Sequence, residues 1–402
     1  MLLSEVCKLI VDCPHSTAKD EGQGFPLIRT PNIGKGRLLL EGVHRVSEET
    51  YNARNFRAIP QDDDLIFARE APAGNVAIVK NGEKVCLGQR TVLIRPDKSL
   101  VNPDFLTYYL LSPKQQYGLL GTANGATVAH VNIPAIRNLE IQLPNLETQE
   151  KIANILKSYD NLIENNQKQI KLLEEAAQRL YKEWFVDLRF PGYKNTPIID
   201  GVPQGWRKPA FSDIFTFVRG KSYTSKELSE SDGVLMVNLK NIRSYGGYKR
   251  NAEKRFTGAY KEEQLLVGGD VVMGVTDMTQ ERRLVGHVAL IPSFTEEVTF
   301  SMDLIKLIPY SASKNYLYCA LQYGGYSEQI APLANGVNVL HLKPESMMKM
   351  KMLVPTKDIM DDFDNRFEAI RLKIEMLEKQ CDLASQVRDR LLPKIMSGEL
   401  EV

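Results

Sequence analysis

The sequence has little of what marks several common protein classes. Its 402 residues include five cysteines and two tryptophans, and no two cysteines have the CxxC spacing of a zinc site or redox motif. No apolar run approaches the roughly 18 residues that a membrane helix requires. The first residues carry charges early and do not have the pattern of a secretory signal. These absences predict a cytoplasmic protein without a membrane partner.

Sequence signatures of catalysis are also missing. No two prolines are adjacent, which excludes the Asp/Asn-Pro-Pro-aromatic motif of amino-methyltransferases. No GxGxxG, P-loop or GxSxG motif occurs. No lysine follows an acidic residue by two positions, as in the Asp/Glu-x-Lys core of metal-dependent nucleases, and the five histidines lack metal-binding spacing. We therefore expect a noncatalytic chain that binds no metal and no cofactor of its own.

Charge of one sign is not in excess either. The 51 basic and 50 acidic residues leave a formal net charge of +1. A protein that coats DNA without regard to sequence is usually strongly basic. Any binding of nucleic acid by this chain must therefore use local patches of positive charge.

The chain contains an internal repeat. The segment Ala123–His130 returns as Ala334–His341, and the offset of 211 residues continues without a gap to Arg179-Leu180, which matches Arg390-Leu391. Upstream the similarity is looser, as between Asn32-Ile33 and Asn241-Ile242. A collinear series of matches indicates a duplicated unit of about 200 residues.

Each copy begins with a mixed region and ends with a helical one. Short β-rich runs with Gly and Pro turn signals come first, together with a short helix opened by Asn102 and Pro103. A long helix follows Pro144 in the first copy and Pro355 in the second. The fold class is therefore α+β, with two mixed α/β domains in tandem, each followed by a long helix. The predicted boundaries are residues 1–144, 145–190, 191–206 (a linker), 207–355 and 356–402.

Both helical regions have apolar residues at alternating spacings of four and three, which is the seam of a coiled coil. A globular core helix usually has a wider apolar face. Asn166 is a polar seam position that either fixes the register or lies where the helices diverge. The seam positions are Ile152, Leu156, Tyr159, Ile163, Asn166, Ile170 and Leu173 in the first helix, and Phe363, Phe367, Ile370, Ile374 and Leu377 in the second.

The short linker predicts how the helices run. The first helix rises roughly 50 Å from residue 152 to residue 184. Only an antiparallel pair places the end of the first helix beside the start of the second, where a linker of residues 191–206 can reach the second domain. We therefore expect an antiparallel coiled coil with pseudo-twofold symmetry. Near the end of the first helix, Tyr181, Trp184 and Phe185 either pack on the second domain or bind a partner.

Two kinds of segment are candidates for binding DNA. A basic stretch from Lys240 to Lys261 has interleaved aromatic residues and a flexible tip at Gly246-Gly247, and lysine and arginine can hold phosphates. A basic face exposed to solvent is the alternative. The repeated Ala-Asn-Gly loops carry different polar residues at matched positions, as expected if each copy reads different bases, although Asn-Gly also forms simple turns. His130 and His341 at the ends of these segments are either base readers or structural histidines. The candidates are Arg29, Lys35, Arg37, Thr127, His130, Asn132, Lys240, Arg243, Lys249, Arg250, Lys254, Arg255, Arg282, Arg283, Asn338, His341 and Lys343.

Three tracts make the chain resemble the specificity subunits of type I restriction-modification systems. They read LPNLETQEKIA at residues 143–153, RLYKEWF at 179–185 and RLLPKIMSGEL at 390–400. The order of variable domain, helix, variable domain and helix resembles that family over the whole chain. One departure is TKDIM at residues 356–360, where the first copy has NLETQ.

The resemblance implies a noncatalytic subunit that reads an asymmetric, bipartite target in double-stranded DNA. Each target-recognition domain would read one half-site, and the paired helices would set the spacing between them. The helices would also dock adenine methyltransferase subunits, and restriction-translocase subunits would complete the assembly. S-adenosylmethionine, ATP and Mg would bind to those partners. The alternatives are a stand-alone DNA-binding regulator, an interaction scaffold and a DNA enzyme with an unrecognised site.

Overall fold

The computed structural model describes residues 1–121 and 130–402. It divides into two compact units. Unit 1 comprises Met1–Asn166 together with Gln380–Val402, and unit 2 comprises Gln167–Lys379. In the described ranges, no helix has the length and apolar character needed to cross a membrane.

Unit 1 contains two β-sheets and the helices that cover them. Its five-stranded sheet has the order β1-β8-β5-β6-β3, and a three-stranded sheet has the order β4-β2-β7. The strands are β1 (Cys7–Asp12), β2 (Phe25–Ile28), β3 (Gly36–Arg37), β4 (Arg45–Val46), β5 (Leu65–Ala68), β6 (Val76–Ile78), β7 (Cys86–Leu87) and β8 (Thr91–Pro96). The helices are α1 (Glu48–Arg54), α2 (Pro103–Leu111), α3 (Pro113–Gly121), α4 (Ile133–Arg137) and the start of α5 (Leu146–Tyr181).

The larger sheet of unit 1 is buried on both faces. In β8, Val92 and Ile94 face the core beneath α2, while Leu93 faces a second core toward the smaller sheet. Successive side chains of a strand point to opposite faces, so a strand between two cores is apolar throughout rather than alternating. The Asn102 side chain accepts a hydrogen bond from the Phe105 amide at 3.0 Å, which confirms the predicted start of α2.

Unit 2 repeats the central arrangement of strands. Its main sheet has the order β11-β19-β15-β17, in which β19 pairs antiparallel with β11 and β15, as β8 does with β1 and β5. The strands are β9 (Ile198–Ile199), β10 (Val202–Pro203), β11 (Phe215–Arg219), β12 (Leu228–Ser229), β13 (Val234–Val237), β14 (Lys254–Phe256), β15 (Val271–Gly274), β16 (Thr276–Asp277), β17 (Val288–Leu290), β18 (Val298–Phe300), β19 (Leu304–Pro309) and β20 (Leu340–His341). The remaining helices are α6 (Lys314–Tyr323), α7 (Tyr326–Ile330) and α8 (Lys357–Ser397).

The two predicted long helices are present as α5 and α8, and each contributes residues to both units. A π-helical segment, Lys182–Val186, follows α5. All the predicted seam residues are buried or half-buried, whereas leucines outside the seam, such as Leu172 and Leu372, are exposed. The apolar spacing therefore identifies correctly which face of each helix is covered.

Within each unit, the segments of α5 and α8 run antiparallel. In unit 1, Asp160 contacts Arg388 and Asn166 contacts Gln380, so residue numbers fall along α8 as they rise along α5. The Asn166 amide donates to Gln380 Oε1 at 3.1 Å, so this polar seam position has a specific partner on α8.

The end of α5 is covered in unit 2. Tyr181, Trp184 and Phe185 are each at most 6% exposed and pack around Phe363 of α8, with ring centroids 4.9–6.2 Å apart. The packing interpretation of these three residues is therefore confirmed.

Candidate nucleic-acid interface

Unit 2 has a loop, residues 278–284, that is organised by one buried carboxylate. Asp277 is fully buried, and its Oδ1 accepts from the amide and hydroxyl of Thr279, both at 2.8 Å. Its Oδ2 accepts from the Leu284 amide at 2.6 Å. Burial by itself raises the pKa of this carboxyl, but the amide hydrogen bonds outweigh it and hold the pKa below its ordinary value. The Asp277 carboxylate that holds this loop together therefore stays ionised at neutral pH.

A second loop, residues 335–340, lies against the first. Asn335 and His341 exchange two backbone hydrogen bonds of 2.9 and 3.0 Å at its base. A side chain at Gly336 would meet the Val339 carbonyl oxygen, so this tight turn requires glycine. The Gln280 side-chain amide donates to the Val337 carbonyl at 2.8 Å. The two loops therefore form one surface, which we call the loop pair.

The loop pair brings together several residues that the sequence predicted to bind DNA. Arg282 and Arg283 lie on the first loop, and Asn338 and His341 lie on or beside the second. Lys343 follows two residues after His341 and is exposed. Arg283 is exposed and has a loose contact of 3.8 Å with Glu281, whereas Arg282 is half-buried and its buried Nε makes no hydrogen bond to any described residue. The geometry thus leaves positive charge and amide groups at one surface.

A third loop, at residues 243–247, is tied to the loop pair. The Tyr245 amide donates to the Arg283 carbonyl at 2.7 Å, and the Gly247 amide donates to the Val288 carbonyl at 2.8 Å. The Gln322 side chain donates to the Tyr245 carbonyl at 2.9 Å. The predicted flexible tip at Gly246-Gly247 is therefore held by hydrogen bonds to neighbouring elements.

Two arginines of the basic stretch contact the long helices. Arg243 pairs with Glu174 of α5 at 3.1 Å and with Glu378 of α8 at 3.2 Å, and Arg250 also contacts Glu378, at 3.0 Å. Arginine binds carboxylates well because its donors are fixed in a planar fork. These two side chains position the third loop against the helices of unit 2.

The remaining residues of the basic stretch are dispersed. Lys254 and Arg255 lie on β14, where they contact Tyr223 and Glu296 respectively. Lys240 and Lys249 are exposed. Their role in binding DNA stays a prediction, and they do not join the loop pair through any contact among the described residues.

Unit 1 has a charged network at the corresponding place. Its Val131 amide donates to the Arg69 carbonyl at 3.0 Å, matching the Leu342 amide and Val275 carbonyl of unit 2 at 2.8 Å. Arg69 is buried and contacts both oxygens of Asp12, at 3.1 and 3.2 Å. Its Nη2 also lies 2.7 Å from His130 Nε2.

The network defines the protonation of His130. A guanidinium has no acceptor, so Nε2 must accept from Arg69, and Nδ1–H then donates to Glu70. Burial lowers the pKa of His130, and the charges of Arg69 and Arg90 lower it further. Glu70 is itself paired with Arg90. Of the two roles open to His130 from the sequence, the geometry therefore supports the structural one, as a neutral member of an ion-pair network.

The other candidates of unit 1 have several different environments. Arg37 contacts Glu164 and donates to Asn161 Oδ1 at 2.8 Å, both on α5. Asn132 caps α4 by accepting from the Ala135 amide at 2.8 Å. Lys35 is exposed, and the buried Arg29 Nε has no hydrogen-bond partner among the described residues. Thr127, with the first Ala-Asn-Gly loop, lies outside the described residues.

Sequence reasoning overlooked several residues of these surfaces. Met278 and Val337 lie on the loop pair and are 79% and 90% exposed. Both are apolar residues inside short polar connections between β-rich runs, a signal that was available in the sequence. Arg69 and Asp12 gave no such signal, because they are far apart along the chain. Residues 1–121 and 130–402 contain no cluster of three or more His, Cys, Asp or Glu suited to a metal ion.

The chain is similar to known proteins of restriction systems. Residues 1–175 match the family model described as type I restriction modification DNA specificity domain. The chain is 25% identical over 368 residues to the type I restriction enzyme MjaIX specificity subunit of Methanocaldococcus jannaschii, covering 90% of this chain and 83% of that protein. It is 21% identical to the HindI specificity subunit of Haemophilus influenzae, covering 84% and 86%.

A solved structure has a similar fold. The crystal structure of the type I restriction-modification S subunit from M. genitalium superposes with a TM-score of 0.60 at 16% identity. The match covers 98% of this chain and 95% of that one. At this identity the match concerns the fold alone.

Proposed function

We propose that the chain is the specificity subunit of a type I restriction-modification system, the noncatalytic subunit that reads a bipartite DNA target, because residues 1–175 match the DNA specificity domain of these systems and the relatives it resembles are specificity subunits. One half-site is read by each unit. The observation that carries the proposal is the loop pair of unit 2, which presents Arg282, Arg283 and Asn338 on a surface closed by Asp277. Arginine contacts phosphates or guanine edges, and asparagine contacts adenine.

The helices act as the spacer between half-sites. The antiparallel contacts of α5 and α8 within each unit, and the burial of the predicted seam, support an antiparallel coiled coil. The order β1-β8-β5-β6 in unit 1 corresponds to β11-β19-β15-β17 in unit 2, which supports two tandem target-recognition domains. Because the two loop regions differ in chemistry, we expect an asymmetric target rather than a palindrome.

Adenine methyltransferase subunits dock on the outer faces of the helices. Leu383 and Val387 in unit 1, and Leu372 and Met376 in unit 2, are 40–52% exposed on α8 at helical spacings of four. Exposed apolar residues on one helix face are typical of a protein interface. S-adenosylmethionine binds to these partners, while ATP and Mg bind to the restriction-translocase subunits that complete the assembly.

The test is single-molecule sequencing of methylated adenines in the source genome, with this gene present and deleted. A split, asymmetric motif that disappears on deletion is the expected result. A genome without such a motif, combined with tight specific binding by the purified chain alone, would instead identify a stand-alone DNA-binding protein.

The same readout tests the assignment of the loop pair. Replacing Arg282 and Arg283 with alanine should relax recognition in one half-site and leave the other intact, because only unit 2 carries the change. The matched control replaces Arg207 and Lys208, an adjacent exposed basic pair of the same unit whose backbone pairs with Val354 rather than with the loop pair. Equal loss at both half-sites would contradict the assignment of one half-site per unit.

A further inference from the structure

The loop pair carries two apolar side chains that the proposed function leaves without a role. Met278, the first residue of the first loop, is 79% exposed, and Val337, within the second loop, is 90% exposed. Apolar residues so exposed lose the free energy that burial would give, roughly 1.5–3 kcal/mol for a whole side chain. Their position is set by the backbone, since Asp277 precedes Met278 directly and the Gln280 amide binds the Val337 carbonyl.

The charge around them points to the partner. Arg282 and Arg283 share the first loop, and the acid nearest to them in sequence is Glu281, which has only the loose contact with Arg283. Asp277 is buried and fully used by the loop it closes. Exposed apolar side chains on loops that also carry cations fit a polyanion that presents apolar groups, and double-stranded DNA has one such group in the major groove, the C5-methyl of thymine.

We infer that Met278 and Val337 are specificity-determining residues that contact thymine methyl groups in the half-site of unit 2. The inference rests on the proposed function and deepens it, since the arginines would contact phosphates or guanine edges while the apolar pair distinguishes thymine from cytosine. The fixed loop conformation supports direct contact, because little conformational entropy remains to be lost on binding. It also requires at least one A·T pair in that half-site.

The experiment uses the full chain assembled with its methyltransferase partner and the target found by sequencing. Each thymine of the half-site that responds to Arg282 and Arg283 is replaced in turn by uracil, which lacks only the C5-methyl. For the wild type, one or two of these replacements should weaken binding roughly fourfold, the loss expected for one methyl group. Met278→Ala or Val337→Ala should bind thymine DNA about as weakly as the wild type binds uracil DNA, and should be insensitive to the replacement.

Val267→Ala is the matched control. Val267 is an apolar residue of unit 2 that is also exposed, at 61%, and its amide donates to the Asp270 carboxylate rather than to the loop pair. It should retain the sensitivity of the wild type to uracil. Thermal melting of all three variants should match the wild type, since the replaced side chains are exposed.

Several results would overturn the inference. They are a half-site without an A·T pair, a wild type insensitive to uracil at every thymine, and variants that keep full sensitivity. Loss of complex assembly by Met278→Ala would show that the apolar pair binds the methyltransferase instead. If the wild-type complex had no sequence preference on unmodified DNA, the proposed function itself would be wrong. Failure of the proposed function can therefore be distinguished from failure of the thymine contact alone.

Discussion

The contact between α5 and α8 has different chemistry in the two units. In unit 1 it contains a buried carboxylate: Asp160 is 4% exposed, accepts from the Tyr108 hydroxyl at 2.5 Å and pairs with Arg388 at 2.5 Å. In unit 2, the offset of 211 residues places Cys319, Arg371 and Ala177 at the positions of Tyr108, Asp160 and Arg388. These three residues do not form a buried carboxylate paired with an arginine, and Arg371 pairs with Glu368 and Glu375 instead.

Unit 2 relies instead on aromatic packing. Phe363 is fully buried, and the rings of Tyr181, Trp184, Phe185, Tyr316 and Phe367 lie within 6.4 Å of its centroid. Aromatic pairs contribute beyond the area they bury, and they do so without a partner of one specific charge. A buried ion pair adds less net stability but penalises any register in which one charge is left alone. The comparison indicates that the contact between α5 and α8 mainly fixes the helix register in unit 1 and mainly stabilises the fold in unit 2.

The largest expected effect comes from removing the centre of the aromatic cluster. Phe363→Ala should lower the free energy of unfolding by about 4 kcal/mol, because it removes a fully buried ring and leaves a cavity. Urea denaturation measures this change. Leu372→Ala on the same helix, at a residue 52% exposed, is the control and should cost less than about 0.5 kcal/mol. A loss below about 1 kcal/mol at Phe363 would contradict the view that aromatic packing stabilises unit 2.

A slightly smaller effect is expected from breaking the ion pair of unit 1. Asp160→Ala should cost about 3 kcal/mol, because it leaves the Arg388 guanidinium and the Tyr108 hydroxyl without their shared acceptor. Arg388 keeps a contact with Asp389 at 2.8 Å, which reduces the penalty.

The matched experiment removes the polar groups together. Replacing Asp160 with Leu, Arg388 with Met and Tyr108 with Phe should restore most of the stability lost by Asp160→Ala, since no charge remains unpaired. If the triple variant is as unstable as the single one, the ion pair supplies stability rather than register, and the comparison between the units would have to be revised.

The smallest effect concerns a carboxyl in unit 2. Burial raises the pKa of Asp364 to about 6, and Asp361 and Glu368 act in the same direction, against a hydrogen bond from Ser313 at 2.7 Å. A folded-state pKa above the unfolded value means that folding favours the protonated acid, so ionisation destabilises the fold as pH rises through 4 to 6. Asp364→Asn should therefore stabilise the protein by about 1 kcal/mol at pH 8, after allowance for partial exposure.

The pH dependence is the control for that prediction. Near pH 4 the variant and the wild type should have similar stability, since the acid is then largely protonated in the folded state. If the variant and the wild type have the same thermal melting temperature at pH 8 as well as at pH 4, ionisation of Asp364 does not destabilise the fold.

The sequence was informative where one signal extends over many residues. The helices begin within two residues of the boundaries that Pro144 and Pro355 predict, and the seam repeats often enough to define the covered face. The burial of Tyr181 was also foreseeable, because three large apolar residues ended the same helix.

The ion-pair partners were not foreseeable. Arg243 binds Glu174 and Glu378, which are 69 and 135 residues away, and Arg69 binds Asp12 across 57 residues. The residues next to a basic residue in the sequence do not reveal whether its side chain faces solvent, a phosphate or a distant carboxylate. The sequence-based list of DNA contacts therefore included arginines that the fold uses to position loops.

The division of the chain into units also affects the order in which the protein is made. Unit 2 is a single continuous stretch, Gln167–Lys379, whereas unit 1 includes the last residues of the chain. Ile395 is 3% exposed in the unit 1 core, beside residues from the first half of the chain such as Leu156. A domain can complete its core only after all its parts have left the ribosome. Part of unit 1 is therefore made before unit 2 and part after it, so a nascent chain exposes some of the apolar core of unit 1 until α8 emerges.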